Sequence, residues 1–217
     1  MAACSPERYG ELLDATLAGG YTTRGFLSGD PNEGDLLLRH DVDMSLEAAI
    51  AMAEIEHERG IAATYLLMTR SIFYNLASPV GTAACERLRA LGHHVGHHAL
   101  HPFAEPTFEA GFERVMAWHN PDPEYMKDPV LGWTNVMEPR FTSDFEWTYR
   151  SDSNQTWRRG DPLDEFAAGR FPWLQLLIHP VLWMCGRDSL PATIEVFLDA
   201  DRTHRFNRLR EDNLDLD

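Results

Sequence analysis

The chain has 217 residues, 44% of them hydrophobic, enough to bury one substantial core and short for two. Its formal charge is -15, from 34 acidic residues against 19 basic ones, and a surface of that sign repels nucleic acid and anionic membranes. Three widely spaced cysteines, Cys4, Cys85 and Cys185, make neither a disulfide framework nor a cysteine zinc motif. With no basic start followed by an apolar run and no apolar stretch of bilayer length, the expectation is one soluble, cytoplasmic domain over residues 1–217, with no nucleic-acid or membrane partner.

In chain order, Tyr9, Leu12, Leu13 and Leu17 follow a Ser-Pro start at helical spacing and predict a short helix from about Ser5 to Leu17,. After the turn-rich Ser28 to Gly34, the run Leu36-Leu37-Leu38 reads as a fully buried strand,. Ser45 to Arg59 is predicted helical, with serine at the N-cap and Gly60 at the C′ position,. Ala62 to Met68 is a second strand and Ala83 to Leu91 a second helix closed by Gly92. Strand, helix, strand, helix indicates a parallel α/β layout whose right-handed crossovers put the strand ends on one face. Pro102 to Pro172 suits long strand-end loops. Leu174 to Ile178 is another buried strand, stopped by His179-Pro180, and Ala192 to Leu209 forms a last helix before a polar tail, Arg210 to Asp217,.

Five of the ten histidines fall between His93 and His101. Taken singly, such histidines more often hydrogen-bond or face water. As a cluster they point to a metal, because spacings of three or four let two imidazoles converge on one ion if the segment turns helically. Asp41 and Asp43 follow the first buried strand and are expected to diverge, one to a cation and the other to its water. Taken alone, the pair also suits the N-terminal dipole of the following helix. His179, at the end of a buried strand, is placed as a general acid, though many such histidines are satisfied core groups.

These segments, in order, resemble one family. Leu38-Arg39-His40-Asp41-Val42-Asp43, Gly60 to Leu67, Leu91 to His98 and Gln175 to Pro180 are similar to the motifs of the polysaccharide deacetylase (NodB-homology) family, in its branch with an Arg-His-Asp-x-Asp first motif. Tyr149 to Ser153 with Trp157, and Trp118-His119-Asn120-Pro121, resemble further segments of that branch. The likeness spans roughly Leu36 to Trp183. It implies a distorted, incomplete (β/α) barrel with its site at the C-terminal strand ends. It also implies hydrolysis of an N-acetyl group on an amino sugar or saccharide, with a metal-bound water as nucleophile and a divalent ion, zinc by expectation. Within that implication Asp41 is the base, Asp43 and His98 are metal ligands, and His179 protonates the leaving nitrogen. The family's paired histidines stand four apart, whereas four past His98 is Pro102, so the third ligand stays open: His101 first, then His97, His94 and His119. Arg150, with Arg140 second, supplies the positive charge that keeps the base ionised. Trp118, Trp133, Trp147 and Trp157 lie in the variable middle, where aromatic faces suit a saccharide cleft, though most such residues pack a core. Two alternatives remain at this point: the same fold acting on a formyl or cyclic amide, and a non-catalytic carbohydrate-binding or interaction protein that has lost the ion.

Overall fold

The computed structural model describes residues 4–104, 111–142 and 148–211; Trp147 and the tail beyond Glu211 lie outside the described residues. In chain order the elements are α1 (Pro6–Ala18), β1 (Thr22–Thr23), β2 (Asp35–Val42), α2 (Leu46–His57), β3 (Thr64–Leu67), α3 (Pro79–Ala90), β4 (His94–Ala99), β5 (Val115–Trp118) and β6 (Thr134–Asn135). They continue with α4 (Pro139–Thr142), β7 (Tyr149–Ser151), α5 (Leu163–Ala167), β8 (Leu174–Ile178), α6 (Pro180–Met184) and α7 (Leu190–Glu211).

The strands pair in the order β6-β5-β4-β3-β2-β8-β7, with β1 against the start of β2, and every pairing is parallel. The sheet curls into a half-barrel flanked by helices, compatible with a distorted (β/α) barrel. Period-two alternation sorts the side chains. Leu36, Leu38, Tyr65, Leu67, Val95, Leu174, Leu176 and Ile178 face outward into a core shared with α1, α2 and α3. Leu37, Leu66, Val115 and Ala117 face inward and meet Phe26, Val136 and Phe141. Gln175 points inward too, and its Nε2 donates to the carbonyls of Val136 and Phe141 at 3.1 and 3.2 Å, tying β8 across the barrel to the far side.

Helix starts follow their caps. Ser45 Oγ accepts the Ala48 amide at 3.1 Å and so opens α2 directly after the acidic pair; losing such a cap costs about 1 kcal/mol. Gly60 ends the helical stretch at φ +68, a left-handed conformation that glycine adopts without penalty,. The three cysteines are free thiols. Among the described residues no helix is long and apolar enough to cross a membrane.

Candidate metal centre

Because all strands run the same way, their C-terminal ends open on one mouth, where the candidate groups arrive from β2, β4, β5, β7 and β8. Arg39 and Asp41 occupy inward positions of β2, and Asp43 follows one step past it. The expected divergence of the two carboxylates is corrected by the strand period: residues two apart in extended chain share a side. His98 Nε2 accordingly stands 3.1 Å from Asp43 Oδ1 and 3.9 Å from Asp41 Oδ2.

The histidine cluster is likewise not helical. His94–Ala99 is a strand, so its rings divide between faces instead of converging. His98 points inward, two positions beyond Gly96, where a Cβ would sit 2.5 Å from the Val115 carbonyl and 2.8 Å from Leu66. His97 packs on the other side against Phe103, Phe112 and Trp133. His94 pairs with Glu113 at 2.7 Å. His101 lies past the end of the strand, and its exposed ring stacks on Tyr125 with centroids 4.0 Å apart. None of these three joins the donor set. His119, last of the four expected alternatives, fills it.

Asp43, His98 and His119 form a triangle of donor atoms. His98 Nε2 to His119 Nδ1 is 3.2 Å, His119 Nδ1 to Asp43 Oδ1 is 3.2 Å, and His98 Nε2 to Asp43 Oδ1 is 3.1 Å. Donors held about 2.0–2.1 Å from a tetrahedral zinc ion lie roughly 3.3 Å apart, so the triangle has the size of one face of such a site. Two imidazoles and a carboxylate also match the donor set of hydrolytic zinc, with a position left open. His119 follows β5, held by its amide donating to the Ala99 carbonyl at 2.8 Å. Asn120, in a left-handed conformation at φ 46 that asparagine tolerates, sets its amide 3.1 Å from His119 Nε2. Turned so that its oxygen faces the ring, that amide would accept a hydrogen bond from Nε2–H and leave the Nδ1 lone pair for an ion. Charge follows the geometry. Burial would raise the Asp43 carboxyl, but hydrogen bonds from His119 and His98 hold it far below the usual carboxylate range. The same bond to Asp43 raises His119.

Two further groups flank the triangle. Arg39 Nη2 donates to Asp41 Oδ2 at 3.3 Å, both residues being buried, while Asp41 Oδ1 is buried with no partner among the described residues. Arg39, rather than Arg150, is the cation beside this carboxylate. Arg150 alternates outward on β7, bonds Glu165 at 3.3 Å and lies over the Phe171 ring; Arg140 pairs with Glu138 at 3.0 Å. On the opposite flank His179 Nε2 stands 4.0 Å from Asp43 Oδ2. Its Nδ1 donates to Asp152 Oδ1 at 2.6 Å, and Trp183 Nε1 donates to Asp152 Oδ2 at 2.8 Å. Burial alone would lower the His179 imidazole; the adjacent Asp152 charge outweighs it and the imidazole is pushed up to about 9. Arg39 and Asp152 are functional candidates that sequence reasoning left without a role, although both sit inside recognised segments.

The groups line a cleft of about 650 Å³ walled by Tyr149, Met126, Met137 and Trp157. Trp133 and the ring of Trp118 are instead buried behind β5 with Phe103. Compared with known protein families, curated proteins and solved structures, the chain matches none.

Proposed function

We propose that the protein is a divalent-metal-dependent hydrolase that removes an N-acyl group, specifically an N-acetyl group on an amino sugar or saccharide, and that the ion is zinc. The observation that carries this reading is the triangle of Asp43, His98 and His119, set between a carboxylate with its own arginine and a histidine with its own aspartate. The likeness of the ordered motifs to the NodB-homology deacetylases supplies the acyl group and the substrate class.

An ion on the triangle would lower the pKa of a water and polarise the amide carbonyl. Asp41, held by Arg39, takes the proton from the attacking water. His179 sits on the other side of Asp43 and carries a proton in the neutral range because Asp152 holds it there; it delivers that proton to the amine nitrogen as the C–N bond breaks. Carboxylate and amine are the products. Tyr149 and Trp157 offer faces on which a sugar ring can lie,.

The test is purification, measurement of bound metal, and assay of acylate release from N-acetylated saccharides before and after chelation, with N-formyl and cyclic amides run beside them. Zinc-dependent acetate release is the expected result. Undiminished activity in metal-free protein ends the hydrolase mechanism, and a preference for formyl or cyclic amides replaces the acetyl assignment.

A further inference from the structure

Behind the sheet, on the face opposite Asp41, lies a second cluster of ionisable side chains that the proposed chemistry does not use. His40, Glu56, Tyr9 and Tyr65 are fully buried there. Glu56 reaches out of α2, and its carboxylate accepts hydrogen bonds from His40 Nε2 at 2.6 Å, from the Tyr65 hydroxyl at 2.8 Å and from the Tyr9 hydroxyl. His93 flanks the cluster but is committed to the backbone: its Nδ1 accepts the Ala63 amide at 3.1 Å and its Nε2 donates to the Ala53 carbonyl at 3.0 Å. Burial would raise the Glu56 carboxyl, yet the facing His40 charge and these donors hold it low,. The second ring nitrogen of His40, Nδ1, faces the Ile178 carbonyl at 3.3 Å. Both ring nitrogens thus lie within reach of an oxygen acceptor,.

The Ile178 carbonyl connects this cluster to the site. It shares one rigid peptide plane with the His179 amide. That N–H is held from the other direction by the Asp152 carboxylate, at 3.0 and 3.2 Å. Ile178 is the last residue of β8 and stands in register with His40, and His179 then caps α6. We propose that His40 is a positioning residue: by gripping the carbonyl end of the Ile178–His179 peptide while Asp152 grips its N–H end, it fixes the angle at which His179 leaves the sheet toward Asp41 and Asp43. This rests on the reading of His179 as the proton donor. Stability alone does not call for such a pair, since apolar side chains of similar volume fill a buried space at equal or lower cost. Placement does call for it, because an error of about 1 Å at a reacting group costs on the order of a hundredfold in rate.

Two substitutions at one position separate the roles, assayed in zinc-loaded protein. His40→Asn keeps an amide near the Nδ1 position, able to donate to Ile178, and gives up Glu56. His40→Gln keeps one near Nε2, able to donate to Glu56, and gives up Ile178. We expect His40→Gln to lose about tenfold to a hundredfold in kcat with KM within about twofold, and His40→Asn to retain most of the wild-type kcat. Equal losses in the two variants, or wild-type kcat in His40→Gln, overturn the proposal. If neither folds, Glu56→Gln decides, because His40 can still donate to Ile178 there: kcat within about threefold of wild type supports the proposal, and a loss beyond about tenfold overturns it. Zinc-loaded wild type that cleaves no acylated substrate counts against the hydrolase reading instead. Positioning is then judged from crystal structures: a His179 ring swung off Asp152 in His40→Gln sustains it, and an unmoved ring overturns it.

Discussion

Replacing His119 by alanine, beside the same change at His101, tests the metal centre most directly. The three donor atoms stand 3.1–3.2 Å apart, close to the roughly 3.3 Å edge of a tetrahedral zinc site, so removing His119 leaves two donors and an open triangle. Loss of an outer partner of a metal ligand already costs about 10–100-fold in affinity; loss of a ligand exceeds that, giving at least about a hundredfold, or about 3 kcal/mol at 1.4 kcal/mol per tenfold. His101→Ala gives up only a stack on Tyr125 and an edge contact with Trp118, worth about 1 kcal/mol of stability, and leaves zinc in place. Competition titration against a zinc-chelating indicator measures both variants. The reasoning is refuted if His119→Ala binds zinc within about threefold of wild type, or if His101→Ala is the variant that loses it.

Asp41→Asn should bind zinc normally and lose about 10²–10⁴ in kcat, the range for a general base, with steady-state kinetics and metal analysis as the readouts. Asp152→Asn should move the alkaline limb of kcat/KM to lower pH. An acid works while protonated, so activity is present below the His179 value of about 9 and lost above it; without the Asp152 charge burial prevails and the loss begins earlier. Arg39→Gln should cut kcat, whereas Arg150→Gln should leave kcat within about twofold and lower only the melting temperature, since Arg150 holds Glu165 and the Tyr149 carbonyl and lies over the Phe171 ring,. Zinc at about a thousand times its Kd should stabilise the wild type by about 4 kcal/mol, visible as a melting shift that Asp43→Ala abolishes.

The buried strands β2, β3 and β8 and the helices α1, α2, α3 and α7 were legible because each carries its own pattern, an unbroken apolar run or a capped helical period. β4 carried none. Its inward positions hold Gly96, which has no room for a side chain, and His98, which is needed at the site, so His94–Ala99 has neither the composition nor the alternation of a strand. β6 and β7 span two and three residues, too few to display a period. His119 stood last among the possible ligands, and its nearest fellow donor is 21 residues away. What brings it in is the β4–β5 register, Ala99 against Trp118, a pairing that no local spacing records. Asp152 was hidden for the same reason, since its place beside His179 depends on β7 lying against β8.

The segment from Arg39 to Asp43 therefore contains two interleaved sets. Odd-numbered positions face the barrel mouth and present Arg39, Asp41 and Asp43; the even-numbered His40 faces the helices and meets Glu56. Each ion buried on either side of the strand costs several kcal/mol of desolvation, only partly returned by its pair. A strand under no demand but stability would carry apolar residues on both faces, as β2 does from Leu36 to Leu38. The change from apolar to ionisable on both faces occurs between Leu38 and Arg39, where the strand approaches its C-terminal end. That location is where a parallel barrel assembles chemistry, so the expense of these charges belongs to the site rather than to the fold.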